Sequence, residues 1–333
     1  MTSSKEVAIK AGVSQSTVSR VLNDSSKVRP EVVEKVKWAI KELNYRPNSI
    51  ARSLVKQTTN TIALISGSLH NQFYVETTAA IVCYAREQGY NVNVNFDFDS
   101  AKDHTTFYED VMNEQVDGII LSSILYDDPI FDKLSQLGVR FVMLNRIHKQ
   151  GEHYVEMDNY QAGQQAAEHL VNLGHRTIGW IGGSLQASTF FGRYQGFRDF
   201  LLEKKIPVYD EFFFENDTSK KEVTKALETM LAYRNRPSAI FAANDSIAFY
   251  IIDYLDSKGY SIPEDISLIG LDDVEWSGHS RIQLTTVRVK DRQSLGLTAV
   301  KVLMDLMLND ESKDKNQITL PTEIVIRKTT SQV

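Results

Sequence analysis

Residues 5–23 read KEVAIKAGVSQSTVSRVLN, from Lys5 to Asn23. Apolar residues at Val7, Ala8, Ala11, Val13, Val18, Val21 and Leu22 fit two short helices packed against each other. Between them, Gly12-Val13-Ser14 has the composition of a tight interhelical turn. Gly12 reaches positive φ at little cost, and Ser14 suits the N-cap of the second helix. That helix would open with exposed Gln15, Ser16 and Thr17 and carry Arg20 one turn later. Short polar side chains at a helix N-terminus are the helix-turn-helix arrangement, able to reach base edges in a major groove. Read blandly, the stretch is two surface helices of an α-domain, so the flanking sequence decides.

Upstream, Thr2 or Ser3 can cap the first helix. Downstream, a polar loop, Asp24-Ser25-Ser26-Lys27, leads to Pro30, which suits the first position of a third helix with Glu31 and Glu34 near its positive end. Val33, Val36, Ile40 and Leu43 share one face of that helix, closing a small three-helix core by residue 45. Charge agrees. Residues 1–59 hold 11 Lys and Arg against 5 Asp and Glu, a net of +6, while the remaining residues carry −12 within a total of −6. A basic head on an acidic body suggests that the head alone meets a polyanion. Residues 46–60 form a linker with one short segment of helical potential, Ser49 to Val55. About two turns are unstable alone in water, so this is a spacer or a hinge that folds on DNA.

The order VAxxAGVSxSTVSRVLN, then VRPEVVEKV, then LNYRPNxxARSL resembles the LacI/GalR family of transcriptional regulators. The resemblance implies that Gln15, Ser16 and Arg20 read bases. It also implies that residues from Asn48 through Ala51 to Leu54 form a minor-groove hinge helix, with Leu54 wedged between base pairs. Arg20 suits bidentate contact with guanine, and Gln15 suits adenine or a phosphate. Thr17, Ser19, Asn23, Lys27 and Tyr45 complete the expected DNA-facing set, chiefly as phosphate contacts that position without specifying.

From Thr61 the pattern changes to apolar strands alternating with amphipathic helices. Strands are predicted at 62–65, 92–96, 118–121 and 139–144. After Asp158 a second series places them at 177–181, 211–214, 239–242 and 267–271, with helices of 8–16 residues between. Such alternation argues for parallel sheets covered on both faces, in two lobes. A last helix over 292–308 and strands at 317–320 and 323–326 return the chain across the lobes. The resemblance implies three crossovers, as in periplasmic sugar-binding proteins. The expected fold is therefore a small all-α helix-turn-helix domain (1–45), a hinge (46–60) and an α/β two-lobed periplasmic-binding-protein-like body (61–333). Lobe 1 is expected to span about 61–157 and 288–316, and lobe 2 about 158–287 and 317–330.

In doubly wound sheets ligands bind beyond the carboxyl ends of the strands. The residues there include Asn71 and Phe73, Ser122, Asn145 and Arg146, Asp158, Asn244 and Asp272; Arg193 lies in the FGRYQGF stretch opening a helix, and Phe73, Phe190 or Trp276 offer rings to stack on. Carboxylates, amides and an arginine match vicinal hydroxyls, and aromatic faces match the C–H side of a sugar ring. Similarity to the family's GFDD, NDxxA and RxxGF motifs points at Asp272, Asn244 and Arg193, although Leu271 stands where Phe or Tyr is usual. The SGSLHNQFYVE segment replaces the common proline-containing loop after the first strand. Several structural alternatives compete. Asp245 reads equally as ligand contact or helix N-cap, Asp273 as a loop-fixing carboxylate, and Arg146 as one end of an interlobe salt bridge. Gly182-Gly183-Ser184 reads as a tight turn, not a phosphate cradle, because GxGxxG and GxxxxGKS are both absent.

Enzymatic readings find little support: the seven histidines are scattered, and neither HExxH nor GxSxG occurs. The single cysteine, Cys83, excludes an intrachain disulfide framework and reads as a buried helix residue. No cofactor or metal is called for, the N-terminus lacks a signal-peptide core, and a cytoplasmic protein is expected. The sequence thus reads as a regulator, expected to repress carbohydrate-utilisation genes. Its expected partners are pseudo-palindromic double-stranded operator DNA, a sugar or sugar-phosphate effector and a second copy of itself, with no membrane. A purine-responsive corepressor system and a sugar receptor without DNA function are the alternatives.

Overall fold

The computed structural model describes residues 2–23, 25–45, 58–96, 104–308 and 315–333. The chain divides into two compact units, Met1–Thr59 and Asn60–Val333.

In the first unit, helix α1 (Ser4–Ala11) begins with a capping box. Ser3 Oγ accepts from the Glu6 backbone, and the Glu6 carboxylate accepts from the Ser3 N–H. Gly12 ends α1 at φ +67°, its N–H on the Ile9 carbonyl, while Val13 N–H returns to Ala8. Ser14 Oγ then accepts from Thr17 N–H at the start of α2 (Gln15–Asn23). The third helix, α3 (Pro30–Glu42), starts on Pro30. Val7, Ala8, Ala11, Val18, Val21, Val33, Val36 and Ala39 form the core of this unit, with Ile40 and Leu43 packed at its edge.

The second unit holds two six-stranded sheets. The first has the order β11-β5-β4-β3-β1-β2, with β1 Thr61–Ser66, β2 Asn91–Phe96, β3 Gly118–Leu121, β4 Arg140–Leu144, β5 Tyr154–Met157 and β11 Gln317–Leu320, all parallel. The second has the order β12-β10-β9-β8-β6-β7, with β6 Ile178–Gly182, β7 Phe213–Glu215, β8 Ala239–Ala242, β9 Ser267–Leu271, β10 Thr285–Val289 and β12 Thr322–Val325. Only the β10–β12 pairing is antiparallel among these. Central strands are buried on both faces and read as unbroken apolar runs, for example Gly118–Leu121 and Ala239–Ala242.

Two strands escape the sequence pattern. Tyr154–Met157 and Thr285–Val289 are short and carry Glu156 and Arg288, so neither reads as a buried apolar run. The chain crosses between the lobes after Met157, after Val289 and at Pro321. This moves two expected boundaries. Gln317–Leu320 belongs to lobe 1, paired with Tyr154–Met157, while residues 288 and 289 end a strand of lobe 2. A four-residue β-prone segment carries no signal of which sheet edge it will join. Cys83, expected to be buried, is exposed on the helix Gln72–Glu87. No helix among the described residues is long and apolar enough to cross a membrane.

The body helices that position the site are α4 (Gln72–Glu87), α5 (His104–Asn113), α6 (Ile130–Gln136), α7 (Asn159–Asn172), α8 (Ser188–Glu203), α9 (Lys220–Ala232), α10 (Asp245–Ser257) and α11 (Leu295–Leu308). The α7–α8 pair is packed at glycine distance. A Cβ on Gly196 would lie 2.0 Å from the Tyr160 carbonyl oxygen, and one on Gly163 2.2 Å from that of Arg193.

Candidate functional sites on the head and in the interlobe cleft

On the head, α2 divides by exposure. Val18 and Val21 are buried, Thr17 is half-buried, and Gln15, Ser16, Ser19 and Arg20 are exposed. Gln15 Nε2 donates to Ser4 Oγ at 2.8 Å, which ties the start of α2 to α1. Lys27 is exposed on the 3-10 turn Ser25–Lys27, and Tyr45 packs on the edge of the core. The Asn23 side chain and the hinge positions Asn48, Ala51 and Leu54 lie outside the described residues.

In the body, the ends of β1, β3 and β4 face those of β6, β7, β8 and β9 around a cavity of about 400 Å³. Of the residues expected at an effector site, Asn71, Phe73, Asn145, Arg146, Phe190, Arg193, Asn244 and Asp272 line it. Three do not. Ser122 is buried with its Oγ donating to the Ile65 carbonyl, and its neighbour Ser123 lines the cavity instead. Asp158 accepts from Gln161 N–H as the N-cap of α7 and lines a separate cavity beside the crossover that follows Met157. Trp276 sits on the 3-10 turn Glu275–Gly278, half exposed, with its ring 5.8 Å from that of His279.

Arg193 is the hub. Its Nε donates to Asn159 Oδ1 at 2.9 Å, Nη1 to the Ala243 carbonyl at 2.6 Å and Nη2 to Asp272 Oδ1 at 3.1 Å. The guanidinium carbon lies 5.9 Å from the centre of the Phe190 ring. Burial pushes the Asp272 carboxyl up to about 7, against the pull of Arg193, and the same burial lowers Arg193.

Neighbouring carboxylates have different duties. Asn244, not Asp245, caps α10 by accepting from Ile247 N–H at 2.8 Å. Asp245 is wholly buried and accepts from Ser277 Oγ, Thr286 Oγ1 and Val274 N–H, so neither expectation for it holds. Burial raises it to about 6, with these three donors opposing. Asp273 is structural, paired with Arg288 and Arg327. Arg146 donates to the Ser123 carbonyl within its own lobe, not across the cleft. Gly183 and Ser184 line the cavity, and a Cβ on Gly183 would strike the Phe190 ring.

Sequence reasoning missed Asn216, Asp217 and Thr218, which follow β7 and line the cavity. Their strand has three residues and follows a 3-10 turn, so its end carries little pattern. Among the described residues, two of the buried side-chain polar atoms without a hydrogen-bond partner belong to this cavity: Asn145 Oδ1 on lobe 1 and Asn216 Nδ2 on lobe 2. One accepts and the other donates, and both residues line the cavity. Buried groups left unpaired are costly, and a polar ligand would satisfy both. The lobes also bond directly: Ser246 Oγ donates to Asn71 Oδ1, and Glu275 N–H donates to Glu76.

A helix-turn-helix head on a two-lobed parallel-sheet body with a polar cleft defines a DNA-binding regulator with an effector-binding domain. Residues 4–48 match the model for bacterial regulatory proteins of the lacI family, and residues 167–330 match the periplasmic binding protein-like domain. The HTH-type transcriptional repressor PurR of Mannheimia succiniciproducens is 32% identical, with all of both chains covered. Catabolite control protein A of Priestia megaterium is 31% identical over 98% of each. The lac repressor dimer bound to operator and the anti-inducer ONPF superposes with a TM-score of 0.86 at 30% identity, covering 99% of each chain. The transcriptional regulator CelR in complex with cellobiose gives 0.72 at 28%, covering 99% of this chain and all of that one. The chain belongs to the LacI family of bacterial transcriptional regulators, a family of DNA-binding proteins and not of enzymes.

Proposed function

We propose that this regulator is a cytoplasmic repressor of carbohydrate-utilisation genes whose operator affinity is set by a sugar or sugar phosphate held in the cleft. The observation that carries the ligand class is the pair of unpartnered amide atoms, Asn145 Oδ1 and Asn216 Nδ2, in a cavity otherwise walled by carboxylates, hydroxyls, further amides, the arginines Arg146 and Arg193, and aromatic rings. A polyhydroxylated molecule is both donor and acceptor at every hydroxyl, so it can satisfy the two lobes at once. The volume of about 400 Å³ lies within the usual range for small-ligand sites. The likeness to the cellobiose-bound CelR supports the same class.

The working assembly is a homodimer on a pseudo-palindrome. Two heads, residues 1–45, read half-sites through Gln15, Ser16 and Arg20, because one head gives too little discrimination. Residues 46–60 act as the hinge, with Asn48, Ala51 and Leu54 at the minor groove. Residues 61–333 bind effector and pair the subunits. A ligand touching both lobes biases their angle and hence the hinge, a coupling of typical size ~1–3 kcal/mol.

A purine corepressor is the second reading, favoured by the 32% identity to PurR. Fluorescence anisotropy of the full chain on the DNA upstream of its own gene, with sugars and purines added in turn, separates the two. A sugar that changes operator affinity supports the first reading, and a purine that raises it supports the second. Absence of specific binding at moderate salt overturns both.

A further inference from the structure

A second cavity, of about 820 Å³, opens between the lobes beside β5 and β11, where the chain crosses from one lobe to the other. It is larger than the cleft and chemically unlike it. Tyr126, Tyr160 and Phe191 line it while 48%, 41% and 51% exposed, with Leu125, Ile147 and Leu185 completing an apolar wall. The other wall is acidic: Glu156 from β5, Asp158 from the crossover that follows it, and Asp127. The lining contains no lysine, arginine or histidine.

The carboxylates are unequally engaged. Lys149 lies 2.5 Å from Asp127, and Asp158 caps α7. Glu156 has no cationic partner: it is hydrogen-bonded by the Asn159 side chain and, at 3.5 Å, by Thr319 Oγ1, and burial pushes its carboxyl up. A half-buried carboxylate facing an aromatic wall, without a cation nearby, is an expensive arrangement that a bound cation would relieve. An anion would meet only like charge. A neutral sugar would leave the Glu156 charge uncompensated. Aromatic faces next to a carboxylate are the surroundings that favour an ammonium group on an apolar body.

We propose that this cavity is a second small-molecule site, taking an organic amine whose ammonium group sits at Glu156 and whose apolar body lies against Phe191, Tyr126 and Tyr160. The site draws on both lobes. Tyr126 N–H donates to the Gln186 carbonyl at 3.0 Å, and Ile147 N–H to Ser188 Oγ at 2.9 Å, so its walls are joined across the gap. Asn159 lines the cavity while its Oδ1 holds Arg193 in the cleft, placing one residue between the two sites. The assignment does not depend on which ligand the cleft takes.

Calorimetric titration of the full chain with phenethylamine, and with neutral 2-phenylethanol as its match, tests the proposal. Phenethylamine is expected to bind saturably at millimolar concentration, about tenfold more tightly than the alcohol. Glu156→Gln should weaken the amine about tenfold, and the exposed-residue variant Phe191→Ala several-fold. Arg146→Ala, in the cleft, should leave the amine unchanged. Absence of saturable binding, equal affinity for the alcohol, or a loss on Arg146→Ala without one on Glu156→Gln overturns the proposal. Parallel thermal melts show that each variant folds.

Discussion

Arg193 Nη2 stands 3.1 Å from Asp272 Oδ1, and each side chain is only 3% exposed. The pair is set by two strand ends and one helix: Arg193 reaches from α8, Asp272 follows β9, and other guanidinium N–H groups donate to Asn159 Oδ1, the Ala243 carbonyl and Met157 Sδ. Such a pair contributes little net stability, because desolvation offsets most of its attraction. Its value is position. It holds a cation and a carboxyl rigidly at the wall of the cleft, where a ligand hydroxyl can meet both.

Arg193→Ala should therefore abolish the effector's influence on operator affinity while leaving effector-free operator binding intact. Removing one partner of a buried pair costs about 3–5 kcal/mol, so urea denaturation must accompany the anisotropy assay. A folded variant that still responds to effector would remove Arg193 from the site.

Gly196→Ala should act on the same site from a distance. The new Cβ would meet the Tyr160 carbonyl oxygen at 2.0 Å, and only separation of α7 from α8 relieves it. Overpacking of this kind costs about 1–3 kcal/mol, and the shift draws Arg193 away from Asn159. Gly89→Ala is the matched control. Gly89 has φ +83° and open space around a Cβ, so alanine there is strained by about 1–2 kcal/mol but displaces nothing. Effector affinity should fall in the first variant and hold in the second.

These residues show how far a sequence carries. Arg193 is legible because it stands in the RxxGF motif near the start of α8, and Asn244 and Asp272 because each follows a strong apolar strand, where a doubly wound sheet places its ligands. Trp276 follows the same logic and fails, since the 3-10 turn at Glu275–Gly278 rotates it outward, and such turns leave no period in the sequence. Asn216 was hidden behind a three-residue strand. The role of Asp245 is not visible in local pattern, because its partners, Ser277 and Thr286, lie 32 and 41 residues away. Local pattern locates strand ends well; it does not report what folds back onto them.

Glu156→Gln should change how stability depends on pH. Burial raises this carboxyl from its usual 4.5 to about 7. A carboxyl whose folded value lies above its unfolded one contributes fully below the unfolded value, and that contribution is lost as pH rises through the folded value. Parent and variant should therefore have equal unfolding free energies below pH 4.5, with the gap opening up to about pH 7 in the variant's favour. Urea denaturation across that range measures it. A gap that opens towards acid instead would mean that Glu156 is held ionised by a partner.

Arg20→Ala and Lys27→Ala should separate base reading from positioning on the head. Arg20 is exposed on α2, away from the buried Val18, and Gln15 at the start of the same helix is anchored on Ser4. If Arg20 meets a guanine, its loss costs about 1–3 kcal/mol per head and relaxes preference at one base pair in each half-site. If Lys27 meets a phosphate, its loss weakens all sequences alike and lowers the salt slope by about one. Anisotropy on a set of single-base operator variants at two salt concentrations reads both. A uniform loss from Arg20→Ala, with base preference unchanged, would reassign it to the backbone and leave the reading of sequence to Gln15 and Ser16.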